Sequence, residues 1–80
     1  MHTATELGDI IRYHRKRAGL SRVDLATIAG VGKTVIYDIE HGKETVQVRS
    51  LVRVLEALNI SCSLESPLIP AYHQERHATR

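Results

Sequence analysis

Residues 20–43 read LSRVDLATIAGVGKTVIYDIEHGK, and this stretch decides the fold. Ser21 carries the side chain of a helix N-cap, and Asp24 three residues on can answer it as a near capping box. Val23, Leu25, Ala26, Ile28 and Ala29 then form a short helix that Gly30 stops. After Val31 and Gly32, another short helix runs from Lys33 to about Glu40, with Ile36 and Ile39 turned inward and Val35 partly so. His41 and Gly42 close it. Ala26 sits where these two helices approach, because a larger side chain would force them apart. Gly30, four residues later, supplies the positive φ of a tight corner, and Val31 plugs that corner. A small residue, a glycine corner, a plug and two inward isoleucines at this spacing define a helix-turn-helix.

The same packing decides what faces outward. With Val31, Ile36 and Ile39 committed to the core, Lys33, Thr34, Tyr37 and Asp38 project from the other side of the helix. The N-terminal end of that helix fits the major groove of a DNA duplex. Lys33 can donate to guanine or phosphate, and the Thr34 methyl suits a thymine methyl. Tyr37 can pack on sugar or base, and Asp38 can accept from cytosine N4. Arg22, in the first turn of its helix, and Lys43, just past Gly42, are placed for phosphates. Gly32 lets the helix start approach the backbone closely. Arg15 and Glu40 stand at helix ends that this architecture brings together. They are expected to form a partly buried, structural salt bridge rather than to read DNA.

Outward from this centre, apolar Leu7, Ile10, Ile11 and Ala18 give an amphipathic first helix over residues 5–18, beginning at Thr5 and ended by Gly19. Thr45-Val-Gln47 leads into a fourth helix whose Val48, Leu51, Val52, Leu55 and Leu58 repeat on one face. Asn59 ends it. Ile60-Ser-Cys-Ser-Leu64 alternates with period two and reads as a half-buried strand. One short strand cannot stand alone, so Ile60, Cys62 and Leu64 are expected to pair with the same segment of a second copy about a two-fold axis. Pro67 and Pro70 are expected to stop regular structure, leaving a polar, frayed end.

Eighty residues allow one domain, and a chain this short buries a small enough core that a dimer would add needed stability. The single cysteine, Cys62, permits neither an intrachain disulfide nor a structural zinc site, which fits a reducing cytosol. The N-terminus lacks the pattern of a signal peptide, and no apolar run reaches the ~18 residues of a membrane helix. A cytoplasmic, nucleoid-associated protein with no membrane partner is therefore expected. Net charge is only +2, but residues 1–53 hold nine Lys/Arg against six Asp/Glu, and residues 54–80 hold two against three. The positive excess lies on the part assigned to DNA.

The stretch 20–43 resembles the phage-repressor and Cro-like (XRE) helix-turn-helix family, and with the first and fourth helices the resemblance covers about residues 5–59. It implies an all-α, lambda-repressor-like domain of four to five helices. Residues 1–66 would form it, C-terminal dimerisation strand included, with 67–80 a flexible tail. By position, Lys33, Thr34 and Tyr37 fall where the family reads bases, and Arg22 where it contacts phosphate. Gly32 and Arg22 depart from the usual N-cap Ser/Thr and the usual Gln. The Ala57-Leu-Asn-Ile60 end followed by a strand is similar to HipB-like antitoxins of HipA-type kinase modules. That resemblance implies a homodimer on a palindromic operator, repression of its own operon and a HipA-like toxin as partner. A stand-alone phage or operon repressor without a toxin is the alternative, and an interaction module without DNA binding a further one.

Other chemistries find little support. Gly32-Lys-Thr34 looks like the end of a phosphate-binding loop, but Thr27 stands where that loop needs glycine, and a helix precedes it instead of a strand. His73 and His77 have metal-ligand spacing without a third ligand, so no metal, cofactor or enzymatic activity is expected. His14 and His41 read as surface or packing residues.

Overall fold

The computed structural model describes residues 3–78, whose helices are α1 (Ala4–Arg17), α2 (Arg22–Ala29), α3 (Lys33–Glu40), α4 (Val48–Ala57) and α5 (Ile69–Ala78). Residues 1 and 2 of the N-terminal reading, and residues 79 and 80 of the tail reading, lie outside the described residues. The architecture is all-α. Helix α1 starts at Ala4, one residue before the expected Thr5, and is capped by Thr3, whose hydroxyl accepts from the Glu6 N–H at 3.1 Å. Ser21 and Asp24 form a reciprocal capping box at the start of α2.

Helices α1 to α4 end in one motif. In each, the residue after the last turn is left-handed: Gly19, Gly30, Gly42 and Asn59, with φ of 73°, 71°, 75° and 57°. The next N–H reaches back five residues, as in Leu20 to the Arg15 carbonyl and Ile60 to the Leu55 carbonyl. These are Schellman turns, which satisfy the carbonyls a helix end leaves without partners. The residue after the left-handed one is apolar in three of the four (Leu20, Val31, Ile60) and packs on the core. In α3 it is Lys43, which faces solvent.

Ile11, Leu25, Ala26, Ile36, Ile39, Val54 and Leu55 are the buried apolar residues among those described. Helix α1 packs on α3, and α2 packs on both α3 and α4. Gly8 makes the first contact possible. A Cβ built there would stand 2.9 Å from the Glu40 carbonyl oxygen and closer still to that of Ile39. In α4 the apolar face is narrower than its sequence pattern. Val54 is buried, whereas Val48 (73% exposed) and Val52 (45%) face outward.

Two expectations for the C-terminal part are corrected. The strand read at Ile60–Leu64 is not formed: residues 60–66 have no regular structure, Cys62 is exposed and Leu64 is 81% exposed. A strand exists through its ladder partners, and the described chain offers no second segment to supply them. Pro70 does not stop regular structure either, because it is the second residue of α5 (Ile69–Ala78). Within the first turn a proline gives up an N–H that has no intrahelical acceptor anyway. Helix α5 stands away from the core with its side chains largely exposed. The radius of gyration is accordingly 14.9 Å, against about 12 Å for a compact chain of this length. Among the described residues no helix is long and apolar enough to cross a membrane.

Candidate nucleic-acid interface

Burial of Ile36 and Ile39 fixes how α3 is rotated, and its opposite edge carries the candidate readers. Lys33, Thr34 and Tyr37 are exposed and, with Arg22 of α2, line one open cleft of about 330 Å³. The side chains of Lys33 and Thr34 make no hydrogen bond or ion pair among the described residues, and the Tyr37 hydroxyl makes none either. This cleft therefore presents an ammonium, two hydroxyls and a guanidinium at the positive end of α3, a composition suited to phosphate and base edges.

Gly32 is the N-cap of α3 and makes no side-chain cap. Its φ is −74°, and a Cβ there would meet nothing within 4 Å. Nothing inside the protein calls for glycine at this position. Asp38 is half-buried, and Lys43 reaches it at 3.4 Å. The candidate base-reading acid and the candidate phosphate-binding lysine are thus paired with each other in the free chain.

Glu40 is the hub behind the cleft. Its side chain has no exposure, and Arg15 donates to it through Nε at 2.5 Å and Nη2 at 3.1 Å. The remaining Arg15 Nη1 donates to the Leu20 carbonyl at 2.9 Å. Arg22 also donates, from Nε to Glu40 Oε1 at 3.1 Å. Burial acts to raise the Glu40 pKa, but the hydrogen bonds and positive charges of Arg15 and Arg22 outweigh it and hold the carboxyl below 4.5, its ordinary value. Among the described residues no buried side-chain polar atom lacks a partner.

Arg22 is therefore more than a free phosphate ligand. Its guanidinium is tied to Glu40 and lies 5.4 Å from the centroid of the Tyr37 ring. His41 stacks on Tyr37, with ring centroids 3.8 Å apart and planes inclined by 20°. Sequence reasoning gave His41 no part in this site. An aromatic residue followed four positions later by histidine at a helix end was the available signal, since those side chains share a face. Ile60, Cys62 and Leu64, the candidate dimerisation residues, lie apart from this cleft: Ile60 packs on the core and the other two are exposed. Among the described residues, no three metal-binding side chains gather, His73 and His77 included.

Two short packed helices, a glycine corner between them and an exposed polar edge on the second define a helix-turn-helix DNA-binding protein. Residues 11–64, more than half of the chain, match the helix-turn-helix family, and the chain belongs to it. It is 37% identical over 65 residues to the HTH-type transcriptional regulator y4mF of Sinorhizobium fredii, covering 81% of this chain and 86% of that protein. Among solved structures, HipB in a HipB–O2 20mer complex superposes with a TM-score of 0.74 at 19% identity, over 84% of this chain and 93% of that one. HipB in a HipA–HipB–O2–O3 complex gives the same TM-score and identity. The restriction-modification controller protein C.AhdI of Aeromonas hydrophila gives 0.66 at 26% identity, over 72% of this chain and 88% of its own. The chain is thus a DNA-binding helix-turn-helix transcriptional regulator and not an enzyme.

Proposed function

We propose that the protein is a repressor that binds a palindromic operator as a homodimer, with α3 of each copy in a major groove. The observation that carries this reading is the cleft at the start of α3, where Lys33 and Thr34 face solvent with no internal partner. Lys33, Thr34, Tyr37 and Asp38 read bases. Arg22, Lys43 and the open backbone at Gly32 hold phosphates. Residues 60–64, with Ile60 packed on the core and Cys62 and Leu64 exposed, bring two copies together.

The finer role we propose is that of a HipB-like antitoxin, which represses its own operon and binds a HipA-type kinase toxin. Its support is the shared fold of HipB over most of both chains and the presence of HipA with HipB in one of those complexes. The likeness to C.AhdI favours a second reading, a stand-alone operon regulator without a toxin. Purification from the host separates the two: an antitoxin brings down a kinase-like chain together with operator DNA, and a stand-alone regulator brings down DNA alone.

Footprinting tests the DNA arrangement. The expected result is two protected half-sites related by two-fold symmetry, about 34–36 Å apart. A single asymmetric half-site would count against the dimer. Arg22→Ala and Lys43→Ala should each weaken binding to all sequences and reduce the salt slope by about one. A change confined to base preference would remove these residues from the phosphate set.

A further inference from the structure

Tyr37 is 49% exposed on the reading edge of α3, yet its ring is held by the neighbouring side chains of His41 and Arg22. The Tyr37 carbonyl lies 2.7 Å from His41 Nδ1 and 3.0 Å from the His41 backbone N–H. A carbonyl can only accept, so Nδ1 carries a proton and donates it, which fixes the imidazole plane. That plane lies almost parallel to the phenol at 3.8 Å. Arg22, anchored on buried Glu40, adds its guanidinium over the same ring. The arrangement is specific to this place. His14 makes the same bond to the carbonyl four residues back, but its ring meets Tyr13 edge-on, at 79°.

We infer that His41 is a positioning residue for DNA reading, which sets the orientation of Tyr37 before the duplex arrives. A tyrosine free to rotate must lose that freedom on binding, whereas one already stacked does not. The benefit falls on binding that depends on where the ring points, namely operator discrimination, and leaves charge-driven binding to any duplex unchanged. This inference rests on Tyr37 acting as a base reader.

The test uses the full chain and a duplex selected by it from a randomised library, compared with unrelated duplex. His41→Ala should weaken binding to the selected duplex about three- to ten-fold, the cost of immobilising one side chain, and relax preference at the base pair that Tyr37→Ala also relaxes. Unrelated duplex should be bound as before. His41→Phe, which keeps a stacking ring, should restore most of the loss. The double variant Tyr37→Ala/His41→Ala should bind no more weakly than Tyr37→Ala. Additive losses, or equal losses on both duplexes, overturn the inference. The free protein supplies an independent reading. Tyr37 ring-proton NMR shifts should move on His41→Ala and stay near wild type on His41→Phe; shifts unmoved by the alanine overturn it too. Failure of the base-reading assumption looks different: Tyr37→Ala itself then costs the same on both duplexes, while the ring-proton shifts still respond to His41.

Discussion

Gly8 and Glu40 show how much of this small core depends on single side chains. At Gly8 the atoms that would oppose a methyl group are backbone carbonyls of α3, which cannot swing aside. Gly8→Ala should therefore destabilise the fold by about 1–3 kcal/mol despite alanine's better helix propensity. Thermal melting checks this, and an unchanged or raised Tm would show that the α1–α3 contact is looser than described. Glu40→Ala would strand the buried guanidinium of Arg15, at a cost of about 3–5 kcal/mol. The same carboxylate gives an acid dependence. Its pKa is lowered on folding, so the stability it contributes is complete above about pH 4.5 and lost as pH falls through the lower folded-state value. Glu40→Gln should flatten the pH dependence of stability in that range; denaturant titrations at several pH values would show it. The proximity of Arg15 and Glu40 was legible because both sit at helix ends that a helix-turn-helix core must join. Gly8 was not, although its spacing of three and seven from Ile11 and Arg15 put it on the buried face. A glycine leaves no apolar mark on a helical pattern.

At the scale of elements, α3 is an eight-residue helix with a strong C-terminal turn and no side chain capping its start. Helices this short owe their stability to packing and caps rather than to propensity. Gly32→Ser has open space and a compatible φ, so it should stabilise the fold by a few tenths of a kcal/mol. If Gly32 serves close approach of a phosphate, the same change weakens DNA binding; better folding with unaltered binding would leave Gly32 no role in the interface. The boundaries of α2, α3 and α4 could be read because serine, glycine and asparagine mark them chemically. The buried edge of α4 could not. Its apolar residues, Ala57 included, span about 220° of the helix at 100° per residue, and the positions of α2 and α3 decide that Val54 goes inside and Val48 does not. For α5 the two prolines obscured a helix, since proline ends helices from within but begins them readily.

For the molecule as a whole, the exposed apolar side chains Val52, Leu64 and Leu68 lie at or beyond α4, away from the α3 cleft. A homodimer formed through residues 60–64 should be disrupted by Cys62→Pro, which removes a backbone donor while leaving the helical core untouched. Sedimentation should then report monomers with unchanged helical circular dichroism. Dimers that persist would move the interface elsewhere. The alternation at 60–64 could not be turned into a strand from the sequence, because a period-two pattern does not say whether a second segment is there to complete the ladder.

The two margins of α3 differ in how they are attached. The side chains of Lys33 and Thr34 make no hydrogen bond or ion pair among the described residues, while Arg22 is bonded to buried Glu40 and lies over the Tyr37 ring. Divergent copies of this protein could acquire new target sites by exchanging the first two residues at almost no structural risk. A change at Arg22 instead takes a donor from the buried Glu40 carboxylate, and one at Tyr37 removes the ring on which Arg22 and His41 lie. Recognition in this fold is thus free to drift along one side of the helix and conservative along the other.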